Sequence, residues 1–67
     1  MNSKEIGEII KKRRQELKVN QLTLSELAGI GTNTLVAIER GTGNPTLDKL
    51  LSVLDTLGLQ IDVKLKD

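Results

Sequence analysis

A chain of 67 residues with no Cys, no His and no aromatic side chain has few ways to hold itself together. Without Cys there is no disulfide and no thiolate metal site, and without His the commonest metal ligand and general base is missing. A chain this short makes one domain with a modest core. What remains is tight packing of aliphatic helices, reinforced by oligomerisation. Hydrophobic residues make up 37% of the chain, and Leu, Ile and Val recur throughout.

The apolar spacing predicts four helices. Asn2 caps the first, with Glu5 at the third position, and Ile6, Ile9, Ile10 and Leu17 form its apolar stripe over about residues 3–18. Gly7 inside it disfavours the helix by about 1 kcal/mol relative to Ala. Asn20 caps a second, short helix over 21–28, where Leu24, Leu27 and Ala28 share a face and Gly29 is the stop. Gly31 or Thr32 caps a third helix over 32–40, packed through Leu35 and Ile38 and ended by Gly41. The intervening turn is about three residues long and contains Gly, the spacing of a helix-turn-helix. Gly41–Pro45 is a turn cluster, and Thr46 then caps a fourth helix. Its apolar face is Leu47, Leu50, Leu51, Leu54 and Leu57, its N-terminal dipole suits Asp48, and it stops at Gly58.

The period then changes. Leu59, Ile61, Val63 and Leu65 alternate with Gln60, Asp62, Lys64 and Lys66, the period of a strand. One strand cannot satisfy its own backbone groups, and no other segment reads as a strand. The expected partner is the same segment of a second copy across a two-fold axis, and the alternative is a frayed tail. The expected architecture is therefore a mainly α, compact four-helix domain over 1–58 and a dimerisation strand over 59–67.

Charge and composition exclude several functions. Net charge is only +1, and the one basic run, Lys11, Lys12, Arg13 and Arg14, reads most simply as a solvated helix face. No apolar run is long enough to span a membrane, and the first residues do not form a signal peptide, so a cytoplasmic protein is expected. There is no internal repeat or low-complexity segment. Glu5, Glu8, Glu16 and Glu26 read as solvated, Ser25 has no evident base, and the glycines form no phosphate loop. The expectation is no enzyme, no cofactor, no metal and no small-molecule substrate.

Residues 20–41 read NQLTLSELAGIGTNTLVAIERG. This stretch resembles the Cro/CI-type, or XRE-type, helix-turn-helix family, a lambda-repressor-like fold, and the resemblance extends over about residues 4–58. Its landmarks are Gln21, Leu24, Ala28, Gly29-Ile30, Thr34, Leu35, Ile38, Glu39, Gly41 and Pro45. The resemblance implies a transcriptional regulator of double-stranded DNA, a repressor that binds a palindromic operator as a homodimer. Three departures stand out: Leu22 where a polar residue is usual, Gly31 where Ser is frequent, and the apolar pair Val36 and Ala37.

A recognition helix exposes its first turns to the major groove while its other face packs. That leaves Thr32, Asn33, Val36 and Ala37 facing outward, and family resemblance assigns base edges to Thr32, Asn33 and Ala37. Asn33 can bond adenine twice, whereas Val36 and Ala37 can meet only thymine methyls. The competing readings are capping for Thr32 and Asn33, and helix filler or a protein interface for Val36 and Ala37. Phosphate contacts are expected from Gln21 at a helix N-terminus, from Asn44, Thr46 and Lys49 around the fourth helix, and from Thr34 and Arg40. The family resemblance also implies a structural ion pair between Arg14 and Glu39.

The terminal LQIDVKL is similar to the antitoxins of HipBA-type toxin–antitoxin pairs. That likeness implies a strand paired across the dimer, repression of the chain's own operon and a HipA-like kinase toxin as partner. The rival reading is a module of the same fold that mainly binds a protein. Binding to single strands or RNA is disfavoured, because no aromatic side chain is present to stack on a base.

Overall fold

Start and stop signals along the chain produce four helices: α1 (Ser3–Glu16), α2 (Gln21–Ala28), α3 (Thr32–Arg40) and α4 (Leu47–Thr56). The structure is a computed structural model that describes residues 1–66; Asp67, the last residue of the expected strand segment, lies outside the described residues. Asn2 Oδ1 accepts from the Glu5 N–H at 2.9 Å, Asn20 Oδ1 from the Thr23 N–H at 2.7 Å, and Thr46 Oγ1 from the Lys49 N–H at 3.2 Å. Each bond satisfies one of the donors that a helix start leaves without an intrahelical partner. At α3 the N-cap is Gly31, which has no side chain to do this.

α1 ends at Glu16, two residues short of the expected boundary. Lys18 takes a left-handed conformation (φ 58°), and the Val19 N–H reaches back to the Arg14 carbonyl at 3.2 Å. A left-handed residue closes a helix whatever its side chain, but here no glycine advertises it.

Ile10, Leu24, Leu35, Val53 and Leu57 are almost wholly buried, with Ala28, Ile38 and Leu54 around them. Ile6, Val19, Ile30, Leu50 and Leu59 pack against this centre. Gly7 permits the approach of α1 to α3: a Cβ there would stand 2.3 Å from the Ile38 carbonyl oxygen and 2.7 Å from that of Glu39. Gly41 meets α1 as closely, since its Cβ would lie 2.5 Å from the Lys4 Cα. The glycine that weakens α1 as a helix is what lets α1 seat against the end of α3.

Two side chains tie α4 down. Ser52 Oγ donates to the Ala28 carbonyl at 2.6 Å, which satisfies the C-terminal end of α2. Arg13 Nε donates to the Leu57 carbonyl at 3.0 Å, a bond across 44 positions of sequence.

The strand expected over 59–65 is not formed in the single chain: residues 59–66 have no regular secondary structure. The physical reason is that a lone extended segment has no ladder to join. Leu59 belongs to the body, half-buried against the core, with its N–H on the Leu54 carbonyl at 2.8 Å. Beyond it Ile61 is half-exposed, while Val63 and Leu65 are 90% and 97% exposed. Among the described residues no helix is long and apolar enough to cross a membrane.

Candidate nucleic-acid interface

Gly29, Ile30 and Gly31 turn the chain from α2 into α3. Leu35, Ile38 and Glu39 are buried at i, i+3 and i+4 spacing, which fixes the inward face of α3. On the other side Asn33 and Arg40 are exposed, and Thr32, Thr34, Val36 and Ala37 are half-buried.

The outward ridge of α3 lies between two clefts. Asn33, Thr34 and Ala37 line one of them together with Asn44, Pro45, Thr46 and Lys49 from the start of α4. Val36 and Arg40 line the other with Lys11 of α1 and Gln21 of α2. Of the residues expected at DNA, only Thr32 stands in neither cleft. Lys49 gives the first cleft a cation, and Lys11 and Arg40 give two to the second. Thr46 uses a lone pair to cap α4, so its hydroxyl proton stays available to an acceptor, beside the free N–H groups of the helix start.

Arg14 and Glu39 are in bidentate contact: Nε to Oε2 at 2.6 Å and Nη2 to Oε1 at 3.0 Å. Arg14 Nη1 also donates to the Val19 carbonyl at 2.8 Å. The hydrogen bond to Glu39 raises the Arg14 pKa above its already high ordinary value, against the opposing effect of burial and with the help of the Glu39 charge. The side chains are 11% and 3% exposed, so this is a nearly buried pair that joins α1 to α3. Gln21 Nε2 donates to the same Glu39 Oε1 at 3.1 Å, which orients Gln21 at the start of α2. One of its amide protons is thereby committed and the other is free.

The basic run does not form one face. Arg13 bonds to the Leu57 carbonyl, Arg14 is spent on Glu39 of α3, Lys12 lies beside Glu5 and Glu8, and Lys11 alone of the four lines a cleft beside the outer ridge of α3. Lys11 was legible in principle, because Gly7, Lys11 and Arg14 recur at i, i+4 and i+7 and so share the face turned to α3. In the sequence Ser25 is only a serine without an evident base. It is buried, donates to the Leu22 carbonyl at 2.8 Å and stands 3.0 Å from Thr32 Oγ1. Leu22 is 57% exposed, on the outside of α2.

A family model described as helix-turn-helix matches residues 10–64. The chain belongs to the Cro/CI-type helix-turn-helix family of transcriptional regulators. It is 36% identical over 59 residues to an uncharacterized HTH-type transcriptional regulator of Sinorhizobium fredii, covering 88% of this chain and 78% of the relative. It is 39% identical over 56 residues to the immunity repressor protein of Bacillus phage phi105, and 36% identical over 50 residues to an uncharacterized HTH-type transcriptional regulator of Haemophilus influenzae. These matches cover 84% and 75% of this chain but only 39% and 51% of those two relatives.

Proposed function

We propose that this protein is a cytoplasmic, non-enzymatic repressor that binds a palindromic operator in double-stranded DNA as a homodimer. The observation that carries the reading is the position of the α3 ridge between two clefts with cationic side chains. In this reading Asn33, Thr32, Val36 and Ala37 meet base edges in the major groove. Gln21, Thr34, Arg40, Asn44, Thr46 and Lys49, with Lys11 added, meet the phosphates that flank it. The phage repressor among the relatives supports repression as the outcome of binding.

Dimerisation is proposed through residues 61–65 and the apolar surface beside α4. Met1, Ile6, Ile9, Leu54 and Ile61 line a groove next to that segment, and Val63 and Leu65 are apolar with nothing over them in one chain. Pairing these segments as strands divides the chain into a DNA-binding body, 1–58, and a dimerisation segment, 59–67, whose first residue, Leu59, is anchored on the body. It sets the two recognition helices roughly 34 Å apart, one turn of DNA, or a multiple of it. The likeness of LQIDVKL to HipBA-type antitoxins extends the reading to an antitoxin with a kinase toxin as partner.

Selection of bound duplexes from a random pool at physiological salt, using protein whose solution mass has been measured, tests the reading. The expected result is a palindromic consensus bound by a dimer, with affinity that falls steeply as salt rises through counterion release. Absence of enrichment overturns it in favour of a protein-binding module, for which the exposed Leu22 is the supporting feature.

A further inference from the structure

The start of α3 holds a hydroxyl whose hydrogen-bonding sense is already decided. Ser25 has one O–H proton and two lone pairs. The Leu22 carbonyl can only accept, so the 2.8 Å contact takes the Ser25 proton. Ser25 Oγ then meets Thr32 Oγ1 at 3.0 Å with lone pairs alone, and Thr32 must be the donor. The proton of Thr32 is thus directed inward, to a serine that is 1% exposed and shielded from competing water.

Thr32 is the first residue of α3, directly before the exposed Asn33, and keeps part of its own surface open. Any hydrogen bond that Oγ1 makes to a ligand must then be one that it accepts. A free threonine hydroxyl bonds donors and acceptors alike, and this one is restricted to donors. In the major groove adenine N6 and cytosine N4 are amines, whereas guanine O6 and thymine O4 are carbonyl acceptors. We infer that Thr32, polarised by Ser25, is a specificity-determining residue that accepts a hydrogen bond from an exocyclic amine and so favours adenine or cytosine over guanine or thymine at one position of each half-site. The inference rests on the DNA reading above and adds to it the sense of the contact and the buried residue that sets it. Asn33 beside it offers both a donor and an acceptor and carries no such restriction.

The full chain, its Thr32→Val variant and its Ser25→Ala variant are each put through duplex selection, with a thermal melt to establish folding. Thr32→Val keeps the shape and removes the lone pair, so the position whose base preference it changes is the one that Thr32 faces. At that position the parent should favour adenine and cytosine by roughly threefold to tenfold, the yield of one net hydrogen bond, and Thr32→Val should bring the ratio near one. Ser25→Ala frees the Thr32 proton, so guanine and thymine should rise to near parity there while the rest of the consensus stands. A parent preference for guanine or thymine at that position, no position changed by Thr32→Val, or an undiminished amine preference in folded Ser25→Ala overturns the inference and leaves the DNA reading intact. If Ser25→Ala does not fold, the parent and Thr32→Val decide alone. A parent that enriches no duplex overturns the DNA reading and this inference with it.

Discussion

The helical body and residues 60–66 treat their bonding groups in opposite ways. Among the described residues of the body, every buried side-chain nitrogen and oxygen has a partner: Arg14 on Glu39, Ser52 on Ala28, Ser25 between Leu22 and Thr32. In residues 60–66 the one ion pair is Lys64 with Asp62 at 3.3 Å, both well exposed, and such surface pairs stabilise little. Both regions are patterned with equal regularity. In a single chain, regular patterning becomes structure only where the complementary groups lie within that chain.

Removing residues 60–67 is the sharpest way to break that contrast, and the cut must spare Leu59, which packs on the core. The shortened protein should melt as the parent does at high dilution, sediment as a monomer, and lose DNA affinity by about 10²–10⁴-fold as two half-sites cease to act together. A truncated protein that stays dimeric would move the interface entirely onto α4 and α1.

Within the body the largest effect is expected from Arg14→Ala. It leaves Glu39 nearly buried without its cation, a loss of about 3–5 kcal/mol, which is a large fraction of the stability of a small domain. Urea denaturation measures it, and an unchanged midpoint would refute the structural role of the pair. Gly7→Ala comes next. Ala is the better helix former by about 1 kcal/mol, yet its methyl meets two backbone carbonyls, so the net change should be a destabilisation of about 1–3 kcal/mol. A gain in melting temperature would show that α1 and α3 are less tightly seated than their geometry requires. The smallest effect has the opposite sign. Gly31 sits in extended backbone with room for a Cβ, nearest to Thr34 Oγ1 at 3.8 Å, so Gly31→Ser should add the missing cap and stabilise by about 0.5–1 kcal/mol in the same denaturation series.

Local chemistry was the legible part of this molecule. Asn2, Asn20 and Thr46 announce helix starts because their side chains can reach the third N–H, and all three do so. The bounds of α2 and α3 followed from such signals, while the end of α1 did not, because Lys18 is no glycine. What escaped the sequence is what depends on distant neighbours. Gly7 reads as a defect until Ile38 is placed against it, and the basic run reads as one face until Leu57 and Glu39 divide it. At the candidate site, helical period alone separated Asn33, Val36 and Ala37 from the packed Leu35 and Ile38, whereas Thr32, expected to face outward, bonds inward to Ser25. The Arg14–Glu39 pair was available only through family resemblance, and the inward bond of Thr32 had no signal, since seven positions separate it from Ser25.

The seat of Gly7 also has a mechanical meaning. At Gly7 the backbones of α1 and α3 meet with no side chain between them, so a shift of one helix against the other at that point must displace backbone and cannot be absorbed by a change of rotamer. When a body joined in this way meets a duplex whose groove does not fit, the compliance must come from the nucleic acid. The elastic work then depends on which base steps are bent or twisted. On the DNA reading proposed above, a glycine that touches no nucleic acid would in this way bear on how well a duplex fits.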